Sequence, residues 1–138
     1  MIWFKAFVAG FIATLVFHQG VYSLFFALGA VDAPPFNLSP VPPFGVPSVL
    51  SLAFFGGLWG LPLWALIRHR GGLGYWGTGI VFGAVAPTVV AMLVVFPLKD
   101  LETSAATWIG GLILNGAWGL GVAVVMRFLS GPAEAAGP

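Results

Sequence analysis

The chain has 138 residues, of which 59% are hydrophobic and only 7% are charged. An average soluble domain carries about 25% charged residues, so the few charges in this sequence cannot coat a soluble core. The composition excludes an ordinary soluble domain and indicates a protein in contact with a lipid bilayer. The net charge of +1 and the lack of cysteine also exclude a basic nucleic-acid-binding surface, disulfides and thiol chemistry.

The first predicted element is an apolar helix over about residues 4–29. Lys5 and Asp32 enclose 26 residues without a formal charge, and roughly 20 apolar residues are enough to cross the hydrocarbon core of a bilayer. We expect this segment to be retained, because it exceeds the roughly 7–15 apolar residues of a secretory signal.

Residues 32–47 form a proline-rich loop in the predicted organisation. Six prolines in this stretch remove backbone donors and prevent a continuous helix. Ser48 is a suitable N-cap, so a second span is predicted over 48–68, where Arg68 ends the apolar run.

Two further apolar stretches predict spans over about 75–97 and 105–128, followed by a flexible tail at 130–138. The predicted fold is therefore an all-α membrane protein, a four-transmembrane-helix bundle in which residues 1–138 form a single integral membrane domain. Four spans place both termini on the same side.

The orientation is predicted from the basic residues. Lys5, Arg68, Arg70 and Arg127 fall on one side and Lys99 on the other. Because short cytoplasmic segments are enriched in Lys and Arg, both termini are expected in the cytoplasm.

Spans two and four resemble each other at an offset of 59 positions. The segment 57–61 (GLWGL) aligns with 116–120 (GAWGL), and Arg68 aligns with Arg127. This match predicts two helical hairpins related as a parallel repeat. Convergent use of Gly and Trp in packed helices is the alternative, because spans one and three share little beyond one glycine.

Glycines with small-xxx-small spacing predict close helix packing, either within one bundle or between subunits. The candidates are Gly56, Gly60, Gly79, Gly83 and Gly119.

Polar residues at mid-span depth form the candidate intramembrane site, because such residues are costly in lipid. Helical spacing places four of them on one face of span one, and a fifth lies on span four; the set is Thr14, His18, Gln19, Tyr22 and Asn115. Three interpretations of His18 remain open: a neutral residue bonding between helices, a proton or substrate site of a channel or transporter, and an axial ligand of haem or chlorin.

Trp59 and Trp118 form a candidate buried aromatic pair, since both lie near mid-span. Each indole N–H then requires an acceptor. Pro62 and Pro87 each free the carbonyl four residues earlier, which offers candidate acceptors.

No catalytic motif accompanies these residues. The sequence has no phosphate-binding loop, no H-E-x-x-H and no nucleophile elbow, so neither an enzyme nor a metal site is expected.

The stretches ATLVFHQG (13–20) and SPVPPFGVPSVLSLAFFGGLWG (39–60) resemble a group of small four-span bacterial membrane proteins of uncharacterised function. The resemblance implies a bacterial inner-membrane location and carries no activity. The expected function is a non-enzymatic packing or accessory subunit of a homo- or hetero-oligomeric membrane complex. The alternatives are a small channel or transporter around His18 and a tetrapyrrole-binding subunit.

Overall fold

A computed structural model describes residues 1–135 and is dominated by four long helices. They are α1 (Ile2–Ala27), α2 (Ser48–Ile67), α3 (Gly72–Leu98) and α4 (Ala105–Ala135). All four are long and apolar enough to cross a membrane, which confirms the predicted all-helical architecture.

The predicted tail is only partly described. In α4 the backbone leaves helical geometry at Gly131, where φ is 70° and ψ is 170°. A left-handed φ of this kind favours glycine. Residues 136–138 lie outside the described residues, so the flexible tail stays a prediction.

The proline-rich connection between α1 and α2 contains a small hairpin that the sequence analysis missed. Strands β1 (Pro40–Val41) and β2 (Val46–Pro47) pair antiparallel. The backbone N–H of Gly45 donates to the carbonyl of Val41 at 2.9 Å. Gly45 has a φ of +68°, which a residue with a side chain rarely adopts.

Each of two helices contains one π-helical turn. The turn lies at Thr14–His18 in α1 and at Ala91–Val95 in α3, and in both the backbone is π-helical. Such a turn inserts one extra residue into the helix and commonly lies at functional positions. The turn in α1 contains Thr14 and His18, two of the predicted site residues.

The helices pack as two hairpins, α1 with α2 and α3 with α4, joined mainly by α1 against α4. One end of the bundle carries two arginine–aromatic contacts: the Arg68 guanidinium lies 5.2 Å from the Trp3 ring centre, and that of Arg127 lies 4.5 Å from the Tyr75 ring centre. We call this the arginine end. The proline-rich connection and the 99–104 turn define the opposite, loop end.

The glycines predicted to pack helices lie at the two crossings within the hairpins. A methyl group added to Gly60 would overlap the carbonyl oxygen of Ala6, and one added to Gly119 would overlap that of Gly79. Gly56 and Gly83 face equally close neighbours on α1 and α4. At Gly60, Gly83 and Gly119 a side chain would push two backbones apart, whereas at Gly56 it would first meet the Thr14 hydroxyl. A Cβ at Gly79 would make only contacts of 3.4 Å, which are ordinary packing distances.

The two hairpins make similar glycine contacts. Gly60 packs on Ala6 as Gly119 packs on Gly79. The first helices therefore correspond at an offset of 73 positions, which also aligns Trp3 with Trp76. A gap-free alignment of the sequence does not show this relation, because the connection inside the first hairpin is longer than that inside the second.

Candidate functional site

Thr14 is enclosed between α1 and α2. Its hydroxyl donates to the Gly10 carbonyl of its own helix at 2.9 Å, and its side chain is 2% exposed. A methyl group added to Gly56 would overlap Thr14 Oγ1, so the absence of a side chain at Gly56 makes room for the hydroxyl. Thr14 is thus a packing residue of the first hairpin.

His18 and Gln19 form a polar pair that reaches the proline-rich connection. Gln19 Nε2 lies 3.4 Å from His18 Nδ1, and Gln19 Oε1 accepts a 2.8 Å hydrogen bond from the backbone N–H of Phe36. One turn later, Ser23 Oγ donates to the Gln19 carbonyl at 2.7 Å. Gln19 therefore joins α1 to the connection rather than to another helix.

The backbone at Phe36 shows why this bond matters. Phe36 has a φ of 53°, a left-handed conformation that is rare for a bulky residue and costs roughly 1 kcal/mol or more. The bond from Gln19 offsets part of that cost. Sequence reasoning missed the contact because a single backbone N–H inside a proline-rich segment has no periodic signal.

Tyr22 lies one turn beyond His18 and is half-buried. Within the described part of the chain its hydroxyl has no hydrogen-bond partner. The structure thus places Tyr22 beside the polar pair without joining it to the pair.

Asn115 belongs to the second hairpin. Its Nδ2 donates to Thr88 Oγ1 on α3 at 2.9 Å, and Thr88 is fully buried. The predicted residues therefore divide into three places: Thr14 between α1 and α2, His18 and Gln19 beside the proline-rich connection, and Asn115 between α3 and α4. Thr88 is the polar partner that the sequence analysis missed; its position directly after Pro87, at mid-span, was the available signal.

The two mid-span tryptophans lie at different contacts between the hairpins. Trp118 is 3% exposed, and its Nε1 donates to the Gly10 carbonyl on α1 at 3.1 Å. The acceptor is thus neither of the carbonyls freed by the prolines. Trp59, on α2, packs edge-on against Phe82 on α3 with ring centres 6.1 Å apart. Each tryptophan bridges from one hairpin to the other.

Metal and cofactor chemistry has few groups available. No set of three His, Cys, Asp or Glu residues within 1–135 is arranged to hold a metal ion. Because His18 Nδ1 faces Gln19, Nε2 is the atom that would ligate the iron of a haem.

Comparisons with known proteins supply no functional residue. No protein-family model matches the chain, and neither a curated protein sequence nor a solved structure matches it. The candidate site is accordingly defined by its contacts: a His18–Gln19 pair attached to the proline-rich connection, with separate polar contacts inside each hairpin.

Proposed function

We propose that the chain is a four-span integral membrane protein that acts as a non-enzymatic packing or accessory subunit of a homo- or hetero-oligomeric membrane complex. The observation that carries this proposal is the distribution of polarity. Polar side chains at mid-helix depth, such as Thr14 and Thr88, are buried and hydrogen-bonded, whereas every helix exposes large apolar side chains.

The exposed apolar residues support placement in lipid. Val16, Phe55, Val81 and Ile109, one on each helix, are between 56% and 62% exposed. In water, apolar faces of this extent would drive aggregation or binding. Hydrocarbon is the solvent in which they are favourable.

The contacts between helices support packing over permeation. Backbones meet directly at Gly60 and Gly119, which is the association mode available to helices in lipid. A channel pathway would need the predicted polar residues along one route, but Thr14 and Asn115 are bonded in separate hairpins.

We further infer a bacterial inner-membrane location with both termini in the cytoplasm. The sequence resemblance supports the bacterial inner membrane as the location. The basic residues at the arginine end support the placement of both termini in the cytoplasm. The native chain has no cysteine, so a single introduced thiol reports its own side. Phe44 and Leu73 are 87% and 90% exposed at opposite ends.

Labelling of intact cells with a membrane-impermeant maleimide tests this orientation. We expect Phe44→Cys to react and Leu73→Cys to react only after permeabilisation. The reverse pattern would invert the topology, and equal labelling of both in a soluble fraction would contradict membrane insertion.

Native mass spectrometry of the tagged chain, extracted from its own membrane in mild detergent, tests the subunit function. We expect a defined oligomer or a stable complex with another membrane protein. A monomer at all protein concentrations, combined with ion or solute flux in liposomes that His18→Ala abolishes, would contradict the proposal and favour a channel. A Soret or chlorin band lost in His18→Ala would favour tetrapyrrole binding.

A further inference from the structure

An open groove runs along the contact between α2 and α3. Its volume is about 530 Å³. Its walls include Leu66 from α2, Arg70 from the turn between α2 and α3, and Gly77, Thr78, Val81, Val85 and Ala86 from α3. The equivalent contact between α1 and α4 is filled, because Trp118 bonds Gly10 there and the Phe17 ring packs on Gly121.

The groove changes from polar to apolar along its length. Arg70 and Thr78 lie at its arginine end, and Val81, Val85 and Ala86 follow on α3 towards mid-span. From Thr78 to Ala86 the helix rises about 12 Å. The groove therefore has a cation and a hydroxyl at one end. Its apolar wall is long enough to contact the first part of a lipid acyl chain.

One hydrogen bond positions the Arg70 side chain and leaves its other N–H groups available to an anion. Its Nε donates to the Leu66 carbonyl at 3.0 Å, and its remaining guanidinium N–H groups have no partner within the described chain. Arg68 and Arg127, in contrast, lie over aromatic rings. A guanidinium presents a planar fork of donors that matches a phosphate group.

We propose that this groove holds one anionic phospholipid, with its phosphate at Arg70 and Thr78 and one acyl chain against Val81 and Val85. The inference rests on the proposed membrane location. Arg68 and Arg127 at the same end add positive potential that attracts anionic headgroups. A helix from a second copy of the chain could cover the apolar wall but would leave Arg70 without an anion. The positive charge of Arg70 therefore favours an anionic phospholipid as the occupant.

Native mass spectrometry of the full chain with added phosphatidylglycerol or phosphatidylcholine tests the proposal. We expect one retained phosphatidylglycerol per chain and weaker retention of phosphatidylcholine. Arg70→Ala should lower phosphatidylglycerol retention by about tenfold, because charge-assisted bonds to phosphate are lost. Lys99→Ala, which removes the same charge at the loop end, should retain the lipid.

A second variant fills the groove without disturbing helix packing. Gly77 lines the groove. A Cβ added there meets no atom within 4 Å, so Gly77→Leu starts its side chain in open space on the groove wall. We expect it to lower retention of both lipids. Gly110, on α4, is equally open, and Gly110→Leu is the matched control that should bind as the native chain does.

Several outcomes would overturn the inference. Equal phosphatidylglycerol retention by Arg70→Ala and the native chain would exclude the phosphate contact, and a dimer abolished by Gly77→Leu would assign the groove to a second copy. Failure of the membrane location is distinguishable, since the chain would then be released from membranes by an alkaline carbonate wash.

Discussion

At the scale of single residues, the packing of the bundle depends on glycines, which have no side chain to separate two helices. Gly60 and Gly119 each meet a backbone carbonyl of the neighbouring helix, so their contribution is the space they leave. In lipid, where apolar surface gains little from meeting apolar surface, such close contact is a main source of helix association.

Gly119→Ala and Gly110→Ala form a matched pair on α4. The methyl group at Gly119 would overlap the Gly79 carbonyl, whereas that at Gly110 meets open space. We expect Gly119→Ala to lower the free energy of unfolding by about 1–3 kcal/mol through overpacking and Gly110→Ala to leave it nearly unchanged. Reversible unfolding in mixed micelles measures both, and equal losses would contradict the packing role of Gly119.

Trp118→Phe tests the indole bond between α4 and α1. It removes the 3.1 Å donor to the Gly10 carbonyl and keeps most of the buried ring. We expect a loss of about 1 kcal/mol in the free energy of unfolding. Trp59→Phe, which preserves an edge-on contact with Phe82, is the control and should cost less; the opposite order would exclude the bond as a stabilising contact.

At the scale of elements, hydropathy and proline content predicted four helices and a non-helical connection, because helix formation in an apolar chain is a local property. The partners of the polar residues were not predictable in the same way. Gln19 bonds Phe36 in the connection and Asn115 bonds Thr88 on α3. Both contacts depend on how the helices are placed, and neither leaves a period in the sequence.

Gln19→Leu is expected to release the proline-rich connection from α1. The Phe36 N–H would lose its acceptor, so its amide hydrogen should exchange with solvent at least several-fold faster in hydrogen–deuterium exchange. Gln19→Glu retains a side-chain oxygen as acceptor and should preserve most of the protection. Unchanged exchange at Phe36 in Gln19→Leu would show that the connection is held by its own hairpin.

At the scale of the whole molecule, two hairpins repeat the same crossing. The 59-position match between spans two and four was visible in the sequence, but the partner relation between α1 and α3 required the contacts of Ala6 and Gly79. Each long helix forms its backbone hydrogen bonds within itself, which is the condition for stability of a spanning segment in a bilayer.

Fragments 1–70 and 71–138, expressed together, should therefore recover one another in mild detergent. The contact that joins them includes Gly121, where an added Cβ would meet the Phe17 ring. We expect Gly121→Leu to reduce co-purification strongly and Gly110→Leu to leave it intact. If Gly121→Leu left co-purification of the fragments unchanged, the contact of α1 with α4 would not be the main junction between the hairpins.

The unequal junctions between the hairpins have a consequence for how such a protein can diversify. Two identical hairpins assembled as a symmetric dimer must present two identical junctions, so any change that closes one closes the other. A single chain carrying both hairpins is free of that constraint. Here one junction is closed by the Trp118–Gly10 bond, while its counterpart, with Trp59 against Phe82, leaves space beside it. Covalent linkage of the hairpins therefore permits one junction to be closed while the other keeps space beside it.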